Sequence, residues 1–165
     1  MDLGTINPIL LVASLMVSAT PILLAAIGEM VVEKSGVLNL GVEGMMITGA
    51  VVGFAVAVNT GSPGLGFAAA ALASALLSLS FGVLTQFLLS NQVATGLGLT
   101  LVGLGLSSLI GKPYEGMKSP TLPDLPLPLL ADIPVIGPML FQHDLMVYLS
   151  IALVAAVWAG LKFTR

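Results

Sequence analysis

Long apolar stretches, separated by short polar segments, make up most of this 165-residue chain. A helix needs about 20 apolar residues to cross the ~30 Å hydrocarbon core of a bilayer, and five stretches come close to that length. They are residues 8–27, 37–58, 64–89, 93–110 and 145–161. Between Glu43 and Lys112 the chain carries no charged residue, whereas a water-soluble fold of this size needs a polar exterior. The pattern therefore predicts an all-α fold, a polytopic transmembrane bundle of about five spans that forms a single domain over residues 1–165.

The composition agrees with this fold and excludes several classes of function. Hydrophobic residues make up 57% of the chain and charged residues 8%, against roughly 25% charged residues in an ordinary soluble domain. No basic stripe could follow a nucleic-acid backbone. The chain has no cysteine and a single histidine, too few of the usual ligands for a zinc site. It contains no phosphate-binding loop, nucleophile elbow or His-Glu-x-x-His pair. We predict no catalytic residue, no metal site and no cofactor bound by this chain, which is not expected to be an enzyme.

The few positive charges predict the orientation of the spans. Lys and Arg are enriched in cytoplasmic loops, and Lys34, Lys162 and Arg165 fall on one side of a five-span bundle. We therefore place that side in the cytoplasm and the N-terminus outside. The opposite orientation is the alternative, because the other side also carries two lysines. The N-terminal run lacks the basic residues of a secretory signal peptide, so it is interpreted as a retained span.

The segment 111–144 is predicted to be a Pro-rich outer loop. It holds seven of the ten prolines, which exclude a continuous helix and favour extended or turn structure. Its second half is apolar enough to lie on the membrane surface. Such a loop either receives a partner or only caps the bundle, and the sequence leaves both open.

Small residues recur at every fourth position within several spans. Gly49 and Gly53 stand in the second span, and Gly103 and Ser107 stand in the fourth. Helices in lipid associate through close backbone approach at such positions, because lipid tails remove the hydrophobic driving force between helices. We expect these residues to lie at helix–helix contacts, either within this chain or with another copy.

The second span combines an acid with several glycines. Residues 44–58 are too few to cross the membrane, so residues 37–43 must enter it as well, and Glu43 with them. Each glycine weakens a helix by about 1 kcal/mol relative to alanine. A broken helix at membrane depth is tolerated where protein or water surrounds it. The sequence thus predicts a discontinuous second span of the kind that lines a substrate path.

Asn39 and Glu43 are four residues apart, so on a helix they would share a face and could bind one polar ligand. The alternative is that Glu43 bonds a neighbouring backbone group or Lys34 and only stabilises the fold. Glu29 is interpreted as part of a solvated interfacial face.

A second polar cluster opens the fourth span. Asn91, Gln92 and Thr95 could hydrogen-bond hydroxyls or amides if they face inward. Amide side chains at the end of a span also cap helices or meet lipid headgroups, and both interpretations stand. The predicted substrate path consists of Asn39, Glu43, Asn91, Gln92 and Thr95.

Two runs of the sequence resemble a known family. Residues 33–50 read EKSGVLNLGVEGMMITGA, and residues 91–101 read NQVATGLGLTL. These runs resemble permease subunits of bacterial ATP-binding cassette importers, in the class that includes branched-chain amino acid, ribose-type sugar and nucleoside importers. The Asn-Leu-Gly-Val-Glu-Gly run is most similar to the nucleoside and simple-sugar permeases.

The resemblance implies a permease subunit that carries nucleosides or related simple sugars across the bacterial plasma (inner) membrane. The partners it implies are a second permease subunit, cytoplasmic ATPase subunits that bind the ATP, and an extracytoplasmic solute-binding protein. It covers only the N-terminal half of such a permease, so the chain is interpreted as truncated before the loop that docks on the ATPase. Three alternatives remain: an ion-coupled secondary transporter or channel with Glu43 as its proton site, a branched-chain amino acid importer permease, and an inert truncation product.

Overall fold

Five helices form the described part of the chain, for which a computed structural model gives residues 7–123 and 142–163. They are α1 (Pro8–Lys34), α2 (Val42–Thr60), α3 (Pro63–Gly82), α4 (Gln92–Gly111) and α5 (Leu145–Phe163). A π-helical turn, Val83–Phe87, extends α3, and a 3₁₀ turn, Lys112–Tyr114, follows α4. All five helices are long and apolar enough to cross a membrane, and no strand lies in these ranges. The predicted all-α, multi-pass fold is confirmed.

The first and third helices differ from the predicted spans at their C-terminal ends. α1 continues seven residues past Ile27 to Lys34 and ends before Gly36, whose φ of +85° is a left-handed conformation that suits glycine at a helix end. α3 continues through the π-helical turn and stops at Phe87, before the predicted Leu89. The fourth and fifth helices agree with their predicted spans to within two residues.

Of the second predicted span, residues 37–58, the first five residues are not helical, because α2 begins only after Gly41. The Asn39 side chain explains the late start: its Oδ1 accepts a hydrogen bond from Gly41 N at 2.9 Å, and such local bonds compete with helix formation. Asn39 and Glu43 therefore do not share a helical face. The break itself agrees with the predicted discontinuity of the second span.

α2 packs against α3 through contacts that leave no room for side chains. A methyl group in place of the Gly53 hydrogen would come within 2.8 Å of Ala70 Cβ and 2.9 Å of Gly66 O. One turn earlier, Gly49 faces the Ser74 hydroxyl. The two backbones therefore approach as closely as in other helix pairs that associate in lipid.

α2 also packs against α4, again backbone to backbone. A methyl group at Gly44 would lie 2.6 Å from Leu99 O and 2.6 Å from Thr100 Cα, and Gly103 lies directly against the Gly44 backbone. Of the residues predicted to mediate packing, Gly49, Gly53 and Gly103 occupy these contacts. Ser107, the fourth, is half-buried in α4.

The apolar core between these helices is small. Met45, Phe81 and Leu99 are buried together, with Val37 and Leu77 packed at the edge. Most of the large apolar side chains on α3 and α4 are exposed, as expected for helices whose outer surfaces meet lipid. Packing in this part of the chain therefore depends on backbone proximity more than on buried side-chain area.

Two compact units can be distinguished among the described residues. Residues 29–121 form the unit built around α2. The other contains residues 7–28, 122–123 and 142–163, where Asp144 Oδ1 accepts a hydrogen bond from Val147 N at 3.1 Å at the start of α5. The single domain stays a prediction, and residues 124–141 of the predicted outer loop lie outside the described residues.

Two glycines of α4, two residues apart, test the role of backbone contact. Gly103 faces the Gly44 backbone, whereas Gly105 has nothing within 4 Å. We expect Gly103→Ala to lower the free energy of unfolding by about 1–3 kcal/mol, because overpacking forces the helices apart. Gly105→Ala should raise it by about 0.5–1 kcal/mol, because alanine restricts the unfolded backbone. Thermal denaturation of the detergent-solubilised variants measures both, and equal shifts would contradict the packing described here.

Two buried threonines test how much a hydrogen bond to a buried hydroxyl group contributes to stability. Thr48 Oγ1 has no hydrogen-bond partner among the described residues, whereas Thr85 Oγ1 donates to Phe81 O at 2.8 Å. Leaving a buried polar group unpaired costs about 1–3 kcal/mol, so Thr48→Val should raise the melting temperature. Thr85→Val removes a satisfied hydroxyl and should lower it. The same sign for both substitutions would be incompatible with the hydrogen bonding of these side chains.

Candidate functional site

Residues 35–41 join α1 to α2, and we call this segment the strap. It begins beside the positive φ of Gly36 and ends at Gly41, the N-cap position of α2, which has no side-chain cap. The strap lies on α4, where a methyl group at Gly96 would come within 2.8 Å of Leu40 N and 2.9 Å of Gly41 N. No side chain fits between the strap and this turn of α4.

Side chains from two helices bind adjacent backbone amides of the strap. Gln92 Oε1, at the start of α4, accepts a hydrogen bond from Leu38 N at 2.8 Å. Glu29 Oε1, near the end of α1, accepts one from Asn39 N at 3.2 Å. Non-helical backbone at membrane depth needs such partners because lipid offers none. Glu29 and Gln92 therefore stabilise a segment that has no backbone ladder of its own.

Thr100 completes the set of strap contacts on the carbonyl side. Its hydroxyl lies 3.1 Å from Leu40 O and 3.2 Å from Gly96 O in its own helix. The strap is thus bonded to α4 at both ends of a two-turn stretch, with the glycine contact between them.

Asn39, the first predicted path residue, shapes the strap from within. Its side chain is 6% exposed. Oδ1 accepts the Gly41 N hydrogen bond, and Nδ2 lies 3.7 Å from Met45 Sδ, a weak acceptor. Both polar atoms of the amide are directed at nearby groups of the chain.

Glu43, the second predicted path residue, has a different environment. It is exposed in the first turn of α2, where a negative charge complements the helix dipole. Within residues 7–123 and 142–163, no hydrogen bond or ion pair involves its carboxylate, and none joins it to Lys34. Among the described residues the carboxylate of Glu43 thus has no protein partner, unlike that of Glu29.

The remaining predicted path residues surround the start of α4. Asn91 is the N-cap residue of α4, and its Oδ1 accepts a hydrogen bond from Ala94 N at 3.0 Å. This is the geometry expected if the amide caps the helix. The Thr95 hydroxyl lies 2.8 Å from the Ser90 hydroxyl. The structure therefore brings Asn39 and Gln92 together at the strap, while Asn91 and Thr95 bond within the segment that begins α4.

Glu29 is a residue that the sequence interpretation missed. The expected solvated position is wrong for Glu29, because this residue is half-buried and bonded to the strap. A signal was present in the sequence: Glu29 stands between Ile27 and the apolar run 30–32, so its surroundings along the chain are not polar. Thr100 was likewise not assigned a role, although it is a polar residue within an apolar span.

Comparison with known proteins identifies the family. Residues 11–165 match the family described as branched-chain amino acid transport system / permease component. The chain belongs to this family. Its members are transport permeases and not a family of enzymes, and the family together with five apolar helices makes this chain a multi-pass membrane protein. Permeases of this kind work with ATPase and substrate-binding partners.

The individual relatives that match are permeases of sugar and nucleoside ABC transporters. The chain is 38% identical to a putative glucose ABC transporter permease of Haloferax volcanii, over 86% of this chain and 44% of that protein. It is 32% identical to a guanosine ABC transporter permease of Bacillus subtilis, over 94% of this chain and 51% of the relative. It is 28% identical to a nucleoside ABC transporter permease of Lactococcus lactis subsp. cremoris, over 94% and 53%.

The chain thus spans about half the length of the curated relatives it matches. No solved structure matches it. The predicted resemblance to the sugar and nucleoside permeases of ABC transporters is confirmed.

Asn91 can be tested as a helix cap. Replacing an N-cap asparagine with alanine costs typically about 1 kcal/mol, whereas aspartate caps as well as asparagine. We therefore expect Asn91→Ala to lower the melting temperature and Asn91→Asp to preserve it. If Asn91→Asp destabilises the protein as much as Asn91→Ala does, capping is not the role of this side chain.

Proposed function

We propose that this protein is a permease subunit of an ABC importer that carries nucleosides or simple sugars across the plasma (inner) membrane. Its similarity to permeases named for glucose, guanosine and nucleosides supports this function. The proposed partners are a second permease subunit, cytoplasmic ATPase subunits that bind the ATP, and an extracytoplasmic solute-binding protein. This chain itself is proposed to contribute no catalytic residue.

The chemistry of the strap region favours a neutral cargo rich in hydroxyl groups. Asn39 and Gln92 are amides, Thr100 is a hydroxyl, and Glu29 and Glu43 are carboxylates. Such groups hydrogen-bond sugar hydroxyls well. An amino acid cargo would also bring its own carboxylate, which needs a cationic partner away from water. No Lys or Arg takes part in the strap's hydrogen bonds among the described residues, so the amino acid alternative has less support.

The predicted path residues remain candidates for contact with cargo, but they differ in the hydrogen bonds that they would have to break first. Glu43 has a carboxylate without a protein partner in the described residues, so it can bind cargo without breaking a bond. Gln92 would first have to release the amide of Leu38, and the Asn39 side chain would have to release the amide of Gly41. Asn91 and Thr95 would have to leave their local bonds at the start of α4.

Uptake into vesicles tests the proposed function. The whole transporter, with its ATPase and solute-binding protein, would be reconstituted and supplied with labelled guanosine, glucose or leucine. We expect uptake of guanosine or glucose that requires ATP and persists when a protonophore removes the proton gradient. Uptake that continues without ATP and stops with the protonophore would instead indicate an ion-coupled transporter, and uptake of leucine alone an amino acid permease.

Glu43 can be tested in the same assay. We expect Glu43→Ala to reduce the uptake rate by about tenfold, the effect of losing roughly 1.4 kcal/mol of stabilisation along the path. Glu33→Ala is the matched control, because Glu33 is an exposed acid at the end of α1, and it should leave uptake within about twofold of the unmodified protein. Equal uptake by the two variants would show that the Glu43 side chain does not contribute to the substrate path.

A further inference from the structure

The strap is bonded from two helices at consecutive residues. The amide of Leu38 binds Gln92 of α4, and the amide of Asn39 binds Glu29 of α1. Both acceptors are oxygen atoms at the ends of flexible side chains. The middle of the strap, residues 38–40, can therefore be released by rotamer changes of Glu29, Gln92 and Thr100, without the loss of any helical turn. The amides of residues 35–37 keep their backbone bonds to the end of α1.

The surface beneath the strap also permits movement. Gly96 presents only backbone to the strap, so no side chains interdigitate there and none must repack. The side chains of Leu38 and Leu40 are 41% and 42% exposed, so burial anchors neither of them firmly. The hydrogen bonds from Glu29, Gln92 and Thr100 hold the middle of the strap, together with the burial of Asn39, whose side chain is 6% exposed.

The position of the strap connects this property to transport. It lies over the first two turns of α4 and leads directly into the first turn of α2, where the backbone amides have no side-chain cap. When the strap lifts, the polar atoms of Gln92 and Thr100 on α4 become available. These groups are hydrogen-bonding partners of the kind that the proposed cargo needs.

We propose that Glu29 and Gln92 are positioning residues that together form a latch, and that the strap is the movable element at one end of the substrate path. With the latch closed, the strap lies against α4 and covers Gln92 and Thr100. With the latch open, the strap leaves α4 and cargo can pass. The link to cargo rests on the proposed function, whereas the latch itself rests on the hydrogen bonds described above.

Amide hydrogen exchange of the whole transporter in lipid nanodiscs measures the latch directly. We expect Glu29→Ala and Gln92→Ala each to accelerate exchange about tenfold in peptides that cover residues 37–41. Glu29→Gln should restore protection, because the amide oxygen still accepts a hydrogen bond. Exchange in α3 should not change in any of these variants. Unchanged exchange in the strap, or equally faster exchange throughout α2, α3 and α4, would overturn the proposal.

Two exposed residues provide matched controls for these substitutions. Glu33→Ala removes an acid one turn after Glu29, and Gln86→Ala removes an amide from the π-helical turn that precedes α4. Both should leave strap exchange unchanged. Acceleration by these variants as large as that caused by Glu29→Ala would mean that the strap responds to general loosening, and the latch would be rejected.

A reversible crosslink tests whether the strap must move during transport. The chain has no native cysteine, so Leu38→Cys with Gln92→Cys supplies the only thiols in it for a short bis-methanethiosulfonate reagent. We expect crosslinking to reduce uptake by about tenfold or more and reduction to restore it. Continued uptake through the crosslinked protein would overturn the proposal.

A second cysteine pair controls for crosslinking as such. Asn59 and Tyr114, at the other end of α2 and α4, are joined by a 2.6 Å hydrogen bond, and crosslinking Asn59→Cys with Tyr114→Cys should leave uptake unchanged. Equal inhibition by both crosslinks would show that transport does not depend on movement of the strap in particular, and would overturn the proposal. If the transporter without crosslinks takes up none of the tested cargoes, the proposed function fails, whereas hydrogen exchange still decides whether the latch exists.

Discussion

Close contact between helix backbones is the constraint on which the unit of residues 29–121 depends. In lipid, apolar side chains gain nothing by leaving their surroundings for another helix, so packing and hydrogen bonds must hold helices together. Glycines on α2 meet α3 on one side and α4 on the other. The Ser74 hydroxyl adds a bond to Met45 O at 3.0 Å. The small apolar core and the many exposed leucines follow from this arrangement.

The same constraint explains where the polar residues lie. The strap must leave helical geometry to connect α1 with α2, and the backbone amides and carbonyls that it frees need partners where water is scarce. Glu29, Gln92 and Thr100 supply these partners from neighbouring helices, and Asn39 supplies one from the strap itself. Polar residues that look like a dispersed set in the sequence thus serve a single short segment of backbone.

Much of the fold could be predicted from the sequence because bilayer thickness fixes the length of an apolar helix. The five helices follow from that length, and the break before α2 follows from its glycines. The start of α2 could not be predicted in the same way, because it depends on one side-chain bond between Asn39 and Gly41. A pattern of apolar positions contains no information on such a bond.

The candidate site was harder to predict than the fold, because its bonds connect residues distant in the sequence. Leu38 and Gln92 are 54 positions apart, and no periodicity relates them. The sequence pattern indicated Glu43, the acid nearest the glycine-rich run, which lies exposed in the first turn of α2. The acid that binds the strap is Glu29, whose role becomes visible only when α1 and the strap are placed together. Asn91 was easier, because capping is a local property of a helix end.

The glycine contacts of α2 also limit how this part of the molecule can change shape. Interfaces made of long side chains can slide, since rotamers adjust as the helices shift. Helices in backbone contact at Gly44 and Gly103 have no such adjustment, because any displacement along their axes drives atoms together. We expect α2 and α4 to travel as one rigid body, so that the strap moves without a shift of α2 along α4.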